Sequence, residues 1–135
     1  MEESDGFILP GGFGAAKNLC TFALVSEKVG VHPQVACVLQ EAHKLGKPLG
    51  FVCIAPAIAA KLFGPEKVEF TIGTDAATAS ALTKHGAEHV SCNVRNVVID
   101  RRLKIVSTPA YMLAQRITEA EAGISKLVQA VLEMA

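Results

Sequence analysis

Apolar residues in this chain fall into short unbroken runs, separated by stretches with helical spacing. Residues 6–9 (Gly-Phe-Ile-Leu), 49–53 (Leu-Gly-Phe-Val-Cys) and 68–72 (Val-Glu-Phe-Thr-Ile) are the first three runs. The run at 49–53 has no polar alternation, as expected of a strand buried on both faces of a parallel sheet. Residues 34–44 set Val35, Val38, Leu39 and Ala42 on one helical face behind Pro33, and Gly46 stops that helix. Residues 56–63 read as a helix opened by Pro56. A further helix runs to His85, capped by Thr74 or Asp75 and ended by Gly86. Residues 15–23 form a short helix or turn. Residues 89–92 read as a strand, and 97–100 with 104–107 as a hairpin around Arg101-Arg102. Residues 114–134 give a long amphipathic helix, with Ile117, Ala120, Ile124, Leu127, Val128 and Val131 on one stripe.

Strands alternating with helices predict a doubly wound α/β fold with a mostly parallel sheet. No linker, repeat or low-complexity tract interrupts the 135 residues, so 1–135 reads as one domain.

Charge narrows the function. Thirteen Lys and Arg balance thirteen Asp and Glu, and the aromatic residues do not interleave with basic clusters. Nucleic acid and anionic membrane surfaces are therefore not expected partners. The longest apolar stretch, residues 51–60, is about half of what a bilayer-spanning helix needs. The opening residues Met1-Glu2-Glu3-Ser4-Asp5 are acidic and resemble no signal or transit peptide, so the expected location is cytoplasmic, or mitochondrial if a targeting segment has been removed. Four separated cysteines, Cys20, Cys37, Cys53 and Cys92, read as free thiols rather than disulfides in a non-secreted chain. No C-x-x-C or H-x-x-x-H spacing proposes a metal site, and no cofactor is expected.

Candidate chemistry concentrates at residues 50–56, Gly-Phe-Val-Cys-Ile-Ala-Pro, where an apolar strand turns directly into a helix at Cys53. A nucleophile elbow holds its nucleophile at such a turn, and Gly50 and Ala55 leave room for tight packing. Amides at a helix N-terminus favour negative charge on the thiol and can hold an oxyanion. The bland alternative is a buried cysteine acting as a small hydrophobe. Gly11 and Gly12 also follow an apolar strand, so their loop lies with Cys53 at the carboxyl end of the sheet, where open α/β folds place ligands.

Four segments then carry a resemblance. Residues 10–19 (PGGFGAAKNL), 46–56 (GKPLGFVCIAP), 71–75 (TIGTD) and 108–113 (TPAYML) closely resemble ElbB-like proteins of the ThiJ/PfpI, class I glutamine amidotransferase-like superfamily. The resemblance runs over nearly the whole chain. It implies a flavodoxin-like fold with helices on both faces, and Cys53 as the catalytic nucleophile. It also implies glutathione-independent glyoxalase activity on glyoxal or small 2-oxoaldehydes, beside an older association with isoprenoid biosynthesis. Gly11, Gly12, Ile54 and Asn18 are the expected oxyanion and substrate contacts.

Two departures accompany it. Ile54 stands where many relatives have histidine, and the chain lacks the N-terminal part that in the family holds the first strand and a glutamate beside the nucleophile. The fold is therefore expected to be incomplete at its N-terminus, the short form to have little or no glyoxalase activity, and the open edge of strand 6–9 to favour a homo-oligomer. The rival reading is a non-catalytic domain that binds a ligand or responds to oxidation at Cys53. His32, His43, His85 and His89 read as surface or capping residues, with His89 the first catalytic alternative. Tyr111 reads as a pocket wall or a packing residue, with packing preferred.

Overall fold

The computed structural model describes residues 4–12 and 30–135. Strand β1 (Phe7–Leu9) lies parallel to β2 (Leu49–Val52), with Phe7 opposite Leu49 and Leu9 opposite Phe51. Next to β2 comes β6 (Ile105–Thr108), also parallel, with Val52 opposite Thr108. Strand β5 (Val98–Asp100) closes this sheet antiparallel to β6, which is the hairpin expected around Arg101-Arg102. The order is β1-β2-β6-β5, so β1 is the outer strand of the sheet among the described residues.

The alternation along β2 explains the layers. Leu49 and Phe51 enter a core with Leu39 and Ala42 of helix α1 (Pro33–Lys44) and Ala57, Ile58, Ala60 and Phe63 of helix α2 (Pro56–Phe63). Val52 points the other way, into a core with Val106 and with Leu127, Ala130 and Val131 of helix α4 (Ile117–Met134). Gly50 shares that face. A Cβ on it would sit 2.8 Å from Leu127 Cδ2 and 3.1 Å from Val131 Cγ2, so the missing side chain lets α4 lie close to β2. Helices on both faces of a mostly parallel sheet give the expected α/β fold.

The sheet is not continuous. Strands β3 (Glu69–Phe70) and β4 (Glu88–His89) pair with each other in a separate two-stranded ladder, with helix α3 (Ala76–Thr83) between them in sequence. Side chains join this unit to the hairpin: Glu69 N–H donates to Asp100 Oδ2 (2.9 Å), and Thr71 N–H to Ser107 Oγ (2.9 Å). The strand expected over 68–72 is short for this reason. Beyond Phe70 its amides bond to side chains instead of a neighbouring backbone.

Two further expectations are corrected. Helix α4 begins at Ile117, not at residue 114, because Arg116 is extended (φ −138°, ψ 149°). Its buried face is Ala120, Gly123, Leu127, Ala130 and Val131, whereas Ile117 is 77% exposed and Val128 lies at its outer margin. The helix or turn expected at 15–23 lies outside the described residues. No helix among the described residues is long and apolar enough to cross a membrane.

Candidate functional site

Cys53 follows β2 directly and has φ +64°, the left-handed region. A side chain there costs on the order of 1–2 kcal/mol, so the surrounding structure must hold it. Two neighbours do so. Cys53 N–H donates to Thr108 O (2.9 Å) at the end of β6. On the other side Gly11 presses backbone against the turn: a Cβ at position 11 would lie 2.6 Å from Cys53 Cβ and 2.7 Å from Val52 O. Only glycine permits that approach.

The amides around the turn are unevenly committed. Cys53 N–H is bound to Thr108 O, and Ala55 N–H donates to Val52 O (3.0 Å). The Ile54 carbonyl already accepts from Ala57, while the Ile54 N–H has no acceptor among the described residues. Gly11 packs beside it, since a Cβ there would lie 3.1 Å from Ile54 N. The oxyanion contact expected of Ile54 would be made by this backbone amide; Ile54 is not among the residues that line the cavity over Cys53.

A cavity of about 460 Å³ opens over Cys53. Among the described residues, Pro10, Gly11, Gly12, Val52, Cys53, Tyr111 and Ile124 line it. Gly11 and Gly12 thus meet Cys53 as expected, with Gly12 at φ +102°. Asn18 lies outside the described residues. Of the two roles expected of Tyr111, the less favoured one holds: it is a 64% exposed ring at the cavity wall and not a packing residue. It is carried there by buried Ala110, itself at φ +44°, just after β6. Ile124 was legible only as part of an apolar helical stripe, and nothing in the sequence marked it as a wall of this cavity.

Thr108 braces the elbow from beneath. Its buried hydroxyl donates to Asn96 O (2.8 Å), and Lys126 Nζ reaches Asn96 Oδ1 (2.9 Å). Gly123 of α4 fits against both Val94 O and Thr108 Oγ1, where a Cβ would come within 2.4 and 2.7 Å. Thus α4 packs down on the segment that fixes the Cys53 amide.

The histidines sit elsewhere. His32 Nδ1 accepts from Gln34 N–H and caps α1. His43 lies 3.1 Å from Glu66 and tilts against Phe63. His85 follows the end of α3, where its N–H donates to Leu82 O. His89 Nε2 accepts from Ile72 N–H (3.2 Å) and its ring meets Phe70 edge-on; burial holds its pKa below the ordinary range. The cavity's described lining contains no histidine and no carboxylate. Of the other thiols, Cys37 is exposed, whereas burial pushes the buried Cys92 thiol up. Cys20 lies outside the described residues. No group of His, Cys, Asp and Glu among the described residues is placed to hold a metal ion.

The chain matches none of the family models with which it was compared. Individual proteins do match. It is 41% identical over 139 aligned residues to the human glutamine amidotransferase-like class 1 domain-containing protein 3, mitochondrial, and 40% identical to the rat ES1 protein homolog, mitochondrial. Each alignment takes in 96% of this chain, which spans about half the length of these relatives (51% and 52%). Among solved structures it superimposes, with a TM-score of 0.88 and 31% identity, on an isoprenoid biosynthesis protein with an amidotransferase-like domain from Ehrlichia chaffeensis. That match covers 99% of this chain and 61% of the other. The sequence and the fold together make this chain a homologue of the glutamine amidotransferase-like class 1 domain proteins, corresponding to about half of their length.

Proposed function

We propose that Cys53 is a nucleophile and that the chain takes part in a glyoxalase-type reaction on glyoxal or a small 2-oxoaldehyde. The observation that carries this reading is a cysteine held at φ +64° over an open cavity, next to an Ile54 N–H that has no acceptor among the described residues. A Cys53 thiolate adds to the aldehyde carbon, a C–S bond forms, and the carbonyl oxygen becomes an alkoxide held by the Ile54 amide. A proton then leaves that carbon for a base and one returns at the neighbouring carbon, giving a hydroxyacyl thioester. Water cleaves the C–S bond and restores the thiol. Glyoxal plus water gives glycolate, one carbon being oxidised as the other is reduced, with no external oxidant.

Glutamine hydrolysis, which the relatives' names suggest, is less well supported. An apolar cavity without a histidine or carboxylate among its described lining offers nothing for the zwitterionic end of glutamine. The same lining lacks the base for the carbon-to-carbon proton step, so the 135-residue chain is expected to form the hemithioacetal but turn over slowly. The names of the human and rat relatives, both mitochondrial, support a mitochondrial setting for this reaction.

Two readouts test the proposal: protection of Cys53 from iodoacetamide by glyoxal, followed by peptide mapping, and glycolate formation. Glyoxal should protect Cys53 reversibly, and Cys53→Ser should abolish whatever glycolate forms. Unprotected Cys53, together with equal glycolate from the wild type and Cys53→Ser, would refute it.

A further inference from the structure

Beyond the chemistry of Cys53, we infer that two copies of this chain join through the open edge of β1, antiparallel, about a two-fold axis at Ile8. Phe7 N–H donates to Pro48 O (3.1 Å), just before β2. Backbone groups alternate along a strand, so Phe7 and Leu9 face β2, and the N–H and C=O of Ile8 face outward. No strand among the described residues pairs with that side. Edge strands are usually protected from further pairing by a charge or a bulge, but this one reads Phe-Ile-Leu.

Apolar surface gathers on both sides of the edge. On one face Phe7 and Leu9 open onto a groove of about 310 Å³ against Gln34, Val35, Val38 and Leu39 of α1. Val38 is exposed, and so is Leu45, which follows seven residues later on the same side of the helix. On the other face exposed Ile8 lies beside Gly50. Helix α4 continues that face. Gly123 meets Thr108 at the end of β6, and Val131 meets Gly50 of β2 and Gly6 before β1. At 100° per residue the next positions round the helix are Val128 and Leu132, both exposed. Five of the eight large apolar side chains exposed among the described residues therefore border this one edge.

A second copy fits this surface. With the axis at Ile8, its N–H donates to the carbonyl of the partner's Ile8 and its own carbonyl accepts in return. Like faces of the two sheets stay level, and the groove side of α1 meets its own copy, as an isologous contact requires. No charged side chain lines the groove, so the patch opposes itself without repulsion. The spacing agrees. Strands lie about 4.8 Å apart and α1 rides over β1 and β2, so the two copies of α1 stand roughly 10 Å apart, a distance at which helices pack. Two four-stranded sheets become one continuous sheet, and the two-fold closes it to further copies at this edge.

Sedimentation equilibrium of the 135-residue chain should give twice its mass of 14.2 kDa and no larger species. Val38→Lys sets like charges across the axis, and Ile8→Pro removes the outward N–H at a place where an edge strand tolerates proline. Each should halve the mass and leave the far-ultraviolet circular dichroism unchanged. Ile8→Cys reads the register independently. Opposed residues of a hydrogen-bonded antiparallel pair stand about 5.5 Å apart at Cα, within disulfide reach, so oxidation should link the two substituted positions, identified by peptide mapping. A monomeric wild type would overturn the inference, as would assembly that grows past two copies. So would a dimer that survives both Val38→Lys and Ile8→Pro, or one that forms no link at position 8. Should either disrupting variant fail to fold, the wild-type mass and the position-8 link still decide.

Discussion

Replacing Gly11 with alanine should damage the elbow out of proportion to the single methyl added. The new Cβ would stand 2.6 Å from Cys53 Cβ, 2.7 Å from Val52 O and 3.1 Å from Ile54 N. None of these is the far end of a flexible side chain. Val52 O belongs to β2, which is hydrogen-bonded on both edges, and Cys53 is tied to Thr108 O. Relief therefore requires roughly 1 Å of backbone displacement, with an overpacking cost of about 1–3 kcal/mol. A misplacement of that size at a reacting group is worth on the order of 10²-fold in rate. Gly12→Ala is the control: a Cβ there meets nothing within 4 Å, so only the strain of φ +102° applies, about 1–3 kcal/mol. Urea unfolding and the iodoacetamide rate at Cys53 read the two effects separately. Both variants should unfold earlier than wild type, but only Gly11→Ala should change the reactivity of Cys53 severalfold. A Gly11→Ala protein with wild-type stability and wild-type labelling would refute the account of how the thiol is held.

Two further outcomes follow from other parts of the molecule. Burial lowers the pKa of His89, whose neutral Nε2 accepts the Ile72 amide, so below the unfolded value of about 6.5 the unfolded chain binds more protons than the folded one. Stability should therefore fall as pH drops from about 6.5 toward the lower folded pKa, and a urea midpoint that falls no less in His89→Gln than in wild type would contradict this. Lys67 ends a short 3₁₀ turn at φ +59° with an exposed side chain; Lys67→Gly should raise stability by about 0.5–1 kcal/mol, and a lower melting temperature would argue against strain there.

Sequence reading reached most of the frame because the frame is local. The apolar run 49–52 and Pro56 after it dictate a strand and a helix with Cys53 between them, and the hairpin follows from two apolar strands around Arg101-Arg102. What it missed depends on long-range geometry. Nothing in the periodicity of 117–131 shows that Gly123 fits beneath Val94 and Thr108, or that Ile117 turns outward. Tyr111 looked like packing because its exposure depends on the left-handed Ala110 before it, a conformation that an alanine does not advertise. The short β3 was equally hidden: Val68 to Ile72 reads as a longer strand, and only the fold reveals that Ser107 and His89 intercept its amides.

That interception has a consequence for which changes the protein tolerates. In an ordinary ladder, backbone bonds backbone, and the identity of each residue matters little to the bond itself. Between β3 and the β5–β6 hairpin the acceptors are instead the buried carboxylate of Asp100 and the buried hydroxyl of Ser107. Asp100 serves twice, since its other oxygen accepts from Leu103 N–H (3.0 Å) in the hairpin turn. The hydrogen bonding between β3 and the hairpin is thus written in two side chains, where a point mutation can erase it. Losing either acceptor leaves an amide unpaired at about 1–3 kcal/mol, without touching a single apolar contact. The shared apolar core through Val68, Phe70, Ile72 and Leu82 holds the same two units together without any such dependence on single polar groups.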